Sequence, residues 1–345
     1  MRLRLPPSVR FGAGSISQIT DSLRECDVRR ALVVTDHGVL AAGVVDRLGL
    51  DAEVFVAHQP TPDQITACAS ALADVDGVVA VGGGSVIDVA KAAVALHAMD
   101  VPLPDIYGLD KVHGPALPLI VVPTTPGSGG EVSSHAVVTD GSKRHAVSGA
   151  CVVPRAVVID PELAVTLPDD ATVACALDAL MHGAEAYLAR AATPFSDAMA
   201  LPGVRRIAAA LPVMGREELA LGCLQANLAM AQANAGLVHA LGYPLTSRYG
   251  IVHGIANVLV APAVLRASRH VQERRDAELA ECLGAEQFAD GLTALLDRLD
   301  VPRNLHIDDP DGLAQEALHY GPVRANWRFP ATATDIATIY RAACR

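Results

Sequence analysis

The sequence predicts a two-domain protein, with a parallel-sheet α/β domain followed by an all-helical domain. Its 345 residues are enough for two domains, since a domain usually has about 100–200 residues. Short Val-rich runs alternate with helical stretches as far as Pro161, which is the pattern of parallel strands joined by helices. Beyond Pro161, long helical stretches follow one another. We therefore predict domains at residues 1–161 and 162–345.

The predicted strands of the first domain are short apolar runs bounded by turn-forming or polar residues. Asp36 follows the first run, and Pro123 stops the last one because proline cannot donate to a sheet ladder. The strands are predicted at residues 31–35, 52–57, 77–81 and 117–122, with a helix at 86–97.

The helices of the second domain are predicted from apolar periodicity. The sequence Pro168-Asp169-Asp170 is a typical helix start. The helix that follows has an apolar stripe formed by Val173, Leu177, Leu180, Ala184 and Leu188. Helices are predicted at residues 171–191, 217–241, 255–267, 274–283 and 286–299.

The composition excludes several classes of protein. A formal net charge of −11 with no Lys/Arg-rich run argues against a nucleic-acid partner. No apolar stretch reaches the roughly 20 residues of a membrane-spanning helix, and no apolar segment follows the N-terminal arginines as in a secretory signal. The seven cysteines are scattered and form no C-x-x-C pair, which is typical of free thiols in a reducing compartment. We therefore expect a cytoplasmic protein without a membrane partner.

Two glycine-rich loops follow predicted strands and are candidate ligand sites. The first is Gly82-Gly83-Gly84-Ser85, where the backbone can approach a ligand closely and the next helix offers a positive N-terminus for a pyrophosphate. A tight strand-to-helix turn capped by Ser85 is the alternative. The second loop, residues 123–132, lies where α/β sheets bind ligands. Asp36 can bind ribose hydroxyls or can simply end a turn.

Polar residues of the helical half are candidates for a metal site. Asp178 and His182 are four residues apart and so share a helix face, and Glu185 continues that polar stripe. His239 and His253 lie in apolar surroundings, where an imidazole needs a partner. Three imidazoles and one carboxylate can hold Fe²⁺ or Zn²⁺ with an open position. Each histidine taken alone can equally be a satisfied core residue.

Taken in order, these motifs resemble the iron-containing (group III) alcohol dehydrogenases over nearly the whole chain. The matching segments are residues 11–14, 82–91, 123–132, 160–163, 178–187, His239, His253, 326–328 and 335–336. The resemblance implies a dehydroquinate synthase-like architecture, with a nucleotide-binding α/β domain, an all-helical domain and an active site between them. It also implies a homodimeric, metal-dependent NAD(P)(H) oxidoreductase that interconverts a small primary alcohol and its aldehyde, acting as an aldehyde reductase.

The resemblance also assigns roles to individual residues. It implies one divalent metal, Fe²⁺ or Zn²⁺, and NAD(H) in preference to NADP(H) because of Asp36. The implied metal ligands are Asp178, His182, His239 and His253. The implied cofactor-binding residues are Asp36, Gly83, Gly84, Ser85, Asp88, Thr124, Thr125, Ser128 and Lys143.

The sequence departs from the family pattern at the substrate side. Tyr243 stands where the family commonly has a second histidine four residues after the third ligand. We predict it as a catalytic residue, because a phenol can bond a substrate oxygen or relay a proton. The stretch 239–246 is similar to the branch that reduces phosphonoacetaldehyde. A phosphonate needs cations, and the candidates are Arg248, Arg324 and Arg328.

Three other functions stay open at the sequence level. The first is a maleylacetate reductase-like enzyme. The second is a non-redox NAD-dependent lyase of the dehydroquinate synthase type. The third is a non-catalytic nucleotide-binding protein, although all four implied ligands are present in the sequence.

Overall fold

The computed structural model describes residues 3–141 and 143–344. The chain divides between Leu167 and Pro168 into two compact units, slightly later than the boundary predicted between residues 161 and 162. Within the described residues, no helix is both long enough and apolar enough to cross a membrane.

The first unit is built on a parallel sheet. Its described strands are β1 (Ser8–Phe11), β2 (Ala31–Thr35), β3 (Glu53–Val56), β4 (Gly77–Gly82), β5 (Leu119–Pro123), β6 (His135–Asp140), β7 (Lys143–Ser148) and β8 (Ala156–Ile159). Its described helices of the α type are α1 (Ile19–Glu25), α2 (His37–Ala41), α3 (Pro62–Ser70) and α4 (Gly84–Met99). Six strands pair in the order β1-β8-β5-β4-β2-β3, all parallel.

Apolar packing on both faces of this sheet explains why its strands read as continuous apolar runs. In β4, Val78 and Ala80 belong to one core cluster, whereas Val79 and Val81 belong to another. Successive side chains of a strand point to opposite faces, so both faces are covered, as parallel sheets require. The predicted parallel α/β domain is confirmed.

The register of the sheet places the predicted ligand loops together at the carboxyl end of the strands. Val34 of β2 pairs with Ala80 of β4, and Gly82 of β4 pairs with Pro123 of β5. Three predicted ligand segments therefore follow the carboxyl ends of adjacent strands: Asp36, the glycine turn (residues 82–85) and the loop 123–132. Ligands of open α/β sheets bind outside these ends.

An antiparallel hairpin of β6 and β7 accompanies the sheet and was not predicted. The Gly-Ser pair at residues 141–142, between the paired Asp140 and Lys143, is the sequence signal that could have revealed it.

Among its described residues, the second unit contains helices and no strand. Its α-helices are α5 (Asp169–Leu188), α6 (Pro194–Ala210), α7 (Arg216–Ala233), α8 (Leu237–Tyr249), α9 (His253–Ser268), α10 (Glu273–Leu283), α11 (Phe288–Arg298), α12 (Pro310–Leu318), α13 (Gly321–Ala325) and α14 (Ala333–Ala343). Helix α5 is the centre of the unit, because it packs against α6, α7 and α9. The predicted all-helical domain is confirmed.

The predicted continuous helix at residues 217–241 is wrong. The structure has two helices there, α7 and α8, separated by residues 234–236. Asn234 has a φ of 63° and a ψ of 166°, a conformation that residues other than glycine rarely adopt and that ends the helix. Gly236 precedes α8 with a φ of −134° and a ψ of −147°. The Ala-rich apolar pattern continues through this break, so periodicity alone did not reveal it.

Candidate active site

Helix α5 supplies two of the predicted ligands. Oδ2 of Asp178 lies 3.9 Å from Nε2 of His182, as expected for residues four apart on one helix face. The His182 side chain is buried, and the Asp178 side chain is 13% exposed. A polar pair on the central helix of a core needs further polar partners.

Helices α8 and α9 supply these partners. Nε2 of His239, the third residue of α8, lies 3.4 Å from Oδ1 of Asp178. Nε2 of His253, the first residue of α9, lies 3.9 Å from the same oxygen. One donor atom each from Asp178, His239 and His253 lies within 4.8 Å of the others. The ring of His182 stacks on that of His239 with centroids 4.8 Å apart. The four predicted ligands therefore converge around one carboxylate.

The charges in this cluster stabilise one another. Burial alone would raise the pKa of Asp178, but the neighbouring imidazoles of His182, His253 and His239 hold it well below its usual range. Burial would likewise lower the pKa of His239, but the carboxylates of Glu185 and Asp178 raise it to about 10. A metal that binds His239 must therefore displace a proton.

Outer hydrogen bonds orient the cluster, and sequence reasoning did not identify most of them. Nδ1 of His182 lies 3.0 Å from Oδ1 of Asn227 on α7. Nδ2 of Asn257 on α9 donates to Oδ1 of Asp178 at 2.8 Å. Each partner lies in an apolar stretch of its own helix. Asn257 is the single amide of the apolar stretch 255–265, and this isolation is a signal that could have found it, whereas Asn227 has Gln225 nearby on α7.

Tyr243 borders the imidazole cluster, one turn of α8 after His239. Its ring stacks on that of His253, with centroids 5.2 Å apart and planes within 5°. The centroid of the Tyr243 ring also lies 4.7 Å from that of Tyr320, a residue that the sequence did not single out. The phenol predicted as catalytic therefore lies beside the predicted ligands.

The glycine turn and the second loop lie side by side. A Cβ added at Gly83 would come within 3.3 Å of Thr125, and one at Gly84 would come within 3.1 Å of Ser128. Gly83 is the N-cap of α4 and offers no capping side chain. Ser85, next along the helix, is exposed. The first backbone N–H groups of this 16-residue helix are thus available to an anion, such as a phosphate.

The other predicted cofactor residues lie on separate elements of the first unit. Oδ1 of Asp36 accepts a hydrogen bond from the backbone N–H of Val39 at 2.9 Å and so caps α2. The backbone N–H of Thr124 donates to the carbonyl of Gly82 at 3.1 Å. Burial raises the pKa of Asp88 on α4. Lys143 is exposed at the start of β7, paired in register with Asp140.

The three predicted substrate arginines already have protein partners. Arg248 forms ion pairs with Asp309 and Glu316, both at 3.4 Å. Arg324 donates to the backbone carbonyl of Ala331 at 3.1 Å. Arg328 donates to the carbonyls of Leu188 and Ala189 at 3.2 and 2.9 Å, where it satisfies the end of α5. Their role in substrate binding stays a prediction.

Comparison with known proteins identifies the family. Residues 6–161 match the iron-containing alcohol dehydrogenase family, and residues 172–344 match the C-terminal part of the Fe-containing alcohol dehydrogenase family. The chain belongs to the iron-containing alcohol dehydrogenase family. It is therefore an enzyme of the oxidoreductase class that acts on alcohols or aldehydes.

Individual members of the iron-containing alcohol dehydrogenase family resemble the chain over most of its length. It is 30% identical to an NAD-dependent methanol dehydrogenase of Bacillus methanolicus, covering 90% of this chain and 88% of the relative. A solved 1,3-propanediol oxidoreductase superposes with a TM-score of 0.95 at 27% identity, covering 99% of both chains. A sulfoacetaldehyde reductase from Bifidobacterium kashiwanohense, solved with NAD⁺, gives a TM-score of 0.90 at 25% identity, covering 99% of this chain and 98% of that one.

The residues of this chain fit the metal that the name iron-containing alcohol dehydrogenase specifies. Nε2 of His239 is buried without a hydrogen-bond partner, a costly state for a polar atom. A divalent cation within reach of Asp178 and His253 would satisfy that atom. Imidazole nitrogens with a carboxylate oxygen form a donor set suited to Fe²⁺ or Zn²⁺.

Proposed function

We propose that this chain is a metal- and NAD(H)-dependent alcohol dehydrogenase that acts as an aldehyde reductase on a small substrate. The observation that carries the proposal is the convergence of three imidazoles on the Asp178 carboxylate, with Nε2 of His239 buried and lacking a hydrogen bond. The family membership supports the reaction class. The methanol dehydrogenase relative is described as NAD-dependent, and the sulfoacetaldehyde reductase was solved with NAD⁺, which supports the cofactor.

In this proposal Asp178, His182, His239 and His253 hold the metal. When bound, a divalent metal supplies a positive charge that polarises a carbonyl oxygen. Asp178 would contribute an anionic oxygen to it. Tyr243, stacked on His253, would hold or give a proton at the substrate oxygen, because its hydroxyl both donates and accepts.

The loops at the carboxyl end of the sheet would orient the dinucleotide for hydride transfer. Gly83 and Gly84 leave room for a pyrophosphate, whose charge the N-terminus of α4 stabilises. The hydroxyls of Thr124, Thr125 and Ser128 would add hydrogen bonds. Asp36 would accept from the ribose hydroxyls and repel a 2′-phosphate, which favours NAD(H). The contributions of Ser85, Asp88 and Lys143 are parts of the same proposal.

The substrate proposal is a small aldehyde with an anionic tail, and phosphonoacetaldehyde is the first candidate. The segment 239–246 and the similarity to a sulfoacetaldehyde reductase support it. Among the three arginines we retain Arg248 as the substrate cation. A substrate anion would replace its ion pairs with Asp309 and Glu316, both at 3.4 Å. Arg324 and Arg328 would instead have to leave buried backbone carbonyls. A maleylacetate reductase-like activity and a lyase activity are the alternatives.

A double variant tests the proposed function. We expect His239→Ala/His253→Ala to lose metal, measured by elemental analysis, and to lose NADH oxidation with every aldehyde tested. The matched control is His306→Ala/His319→Ala, which removes two exposed imidazoles from the same unit and should retain both properties. Full turnover by the metal-free double variant would contradict the proposal.

A substrate panel separates the alternatives. It contains phosphonoacetaldehyde, succinic semialdehyde, glycolaldehyde, maleylacetate and simple aldehydes. NADH consumed in proportion to product indicates reduction, whereas NAD⁺ that is needed but not consumed indicates a lyase.

The cellular location and the assembly of the chain belong to the same proposal. Its seven cysteines are free thiols, which supports a reducing compartment such as the cytoplasm. A homodimer stays a prediction from the family resemblance.

A further inference from the structure

We infer that Glu185 is a positioning residue, which fixes the imidazole of His239 toward the metal and caps helix α8 with the same carboxylate. This inference rests on the proposed metal centre. Glu185 lies on α5 and is completely buried. A carboxylate in such a position is strongly unfavourable unless it is paired and hydrogen-bonded. Its partners therefore indicate why it is there.

Both oxygens of Glu185 face the start of α8. Oε1 accepts from the backbone N–H of Val238 at 2.7 Å, and Oε2 accepts from that of His239 at 3.3 Å. These are the second and third residues of the helix, whose N–H groups have no intrahelical acceptor. A residue from another helix thus takes the part that an N-cap side chain usually takes.

The N-cap of α8 cannot supply this hydrogen bond itself. Gly236 occupies that position. A Cβ added there would lie 2.5 Å from Cε3 of Trp327 and 2.9 Å from Oε1 of Glu185. Serine or aspartate therefore does not fit, and Glu185 is the available acceptor.

The same carboxylate determines which nitrogen of His239 faces the metal. Oε2 of Glu185 lies within hydrogen-bond distance of Nδ1 of His239. A carboxylate only accepts, so Nδ1 carries the proton. Once a metal has displaced the second proton, the lone pair of the neutral ring is on Nε2, the atom that lies 3.4 Å from Oδ1 of Asp178 and has no hydrogen bond. Partners of this kind orient metal-binding histidines and raise their basicity.

His182 provides an internal comparison. Its Nδ1 faces the neutral amide oxygen of Asn227, so its ring is oriented without an added charge. His239 instead has the full carboxylate of Glu185 at its Nδ1. We therefore expect the loss of the Glu185 charge to weaken metal binding, beyond any effect on folding.

The test compares Glu185→Gln with a variant that only loses a helix cap. Glutamine keeps the volume, but its amide nitrogen cannot accept a hydrogen bond. The control is Thr332→Ala, which removes the capping box of α14 in the same unit. Co²⁺ affinity of the full chain is measured by chelator competition, together with the visible spectrum of bound Co²⁺ and the melting temperature without metal.

We expect E185Q to bind Co²⁺ about 10- to 100-fold more weakly than wild type, as for other partners of metal ligands, with an altered Co²⁺ spectrum. T332A should melt at a lower temperature but keep the wild-type affinity and spectrum. Wild-type affinity and spectrum in E185Q would overturn the inference and leave Glu185 as a helix cap only. A wild-type chain that bound no metal would overturn the proposed function as well.

A second measurement does not depend on the folding of a variant. In wild-type protein loaded with Zn²⁺, NMR of ¹⁵N-labelled histidines should show His239 bound through Nε2, with a slowly exchanging proton on Nδ1. Coordination through Nδ1 would overturn the inference.

Discussion

The ammonium of Lys91 links helix α4 to the chain that follows the second ligand loop. Lys91 is fully buried. Its Nζ donates to the carbonyl of Ser133 at 2.6 Å and to that of His135 at 3.1 Å. Burial lowers the pKa of Lys91 to about 8, although the carboxylates of Asp88 and Glu131 oppose this shift. One side chain therefore fixes the end of the loop 123–132 against the helix that begins at the glycine turn.

The neighbouring His135 should make the first unit sensitive to acid. Burial, together with the charge of Lys91, lowers the pKa of His135 from 6.5 to about 4. The unfolded chain then binds this proton more readily than the native one. The stability contributed by neutral His135 is complete above pH 6.5 and is lost as the pH falls toward 4. Between pH 7 and pH 4, the free energy of unfolding should fall in both proteins. We expect the fall to be roughly 1–3 kcal/mol smaller in His135→Gln than in wild type.

Urea denaturation followed by circular dichroism at several pH values measures this difference. His113→Gln, which removes an exposed histidine of the same unit, is the control and should follow the wild-type curve. Parallel pH curves for H135Q and wild type would contradict the prediction.

At the residue scale, the sequence predicts those site residues that lie close together in the chain, on one helix. Asp178 and His182 share a helix face whatever the rest of the fold does. The contact between Glu185 and His239 joins residues 54 apart in sequence and depends on where α8 begins. No periodicity contains that information, so the polar stripe revealed Glu185 but not its partner.

At the element scale, close helix packing brings the imidazoles together. A Cβ added at Gly254, the second residue of α9, would lie 2.0 Å from the carbonyl oxygen of Ala174 on α5. It would also lie 3.0 Å from Cβ of Asp178. The absence of a side chain at Gly254 thus allows α9 to carry His253 up to the Asp178 carboxylate. The sequence predicted both helices, but the closeness of their packing is a tertiary property.

We expect Gly254→Ala to separate α9 from α5, because backbone atoms of a helix cannot move aside as a flexible side chain can. Overpacking of this kind costs roughly 1–3 kcal/mol of stability, and metal affinity should fall because His253 moves away from Asp178. Chelator competition and thermal melting measure the two effects. The control is Gly321→Ala at the start of α13, where a Cβ meets nothing within 4 Å. Unchanged metal affinity in G254A would contradict the prediction.

At the scale of the whole molecule, the order of the two kinds of unit was predictable and the strand order was not. Buried Val-rich runs indicated four of the six parallel strands. The two that were missed, β1 and β8, have four residues each and pair with one another. Their pairing joins residues 8–11 to residues 156–159, and such distant contacts leave no local pattern. The net charge of −11 likewise does not indicate where cations are held, because the relevant carboxylates are buried and local.

The single tryptophan of the sequence allows the metal-binding unit to be followed separately. Trp327 is 1% exposed and belongs to the helical unit, so its emission reports the unfolding of that unit in a protein where one overall transition cannot be assumed. A ligand at 100 times its Kd stabilises the folded state by about 2.7 kcal/mol. Each kcal/mol shifts the midpoint of a unit of this size by about 2–4 °C. We therefore expect saturating Zn²⁺ to raise the Trp327 midpoint by roughly 5–10 °C. Asp178→Ala, which lacks the carboxylate at the centre of the cluster, should show no such rise, and an equal rise in that variant would mean that the metal binds elsewhere.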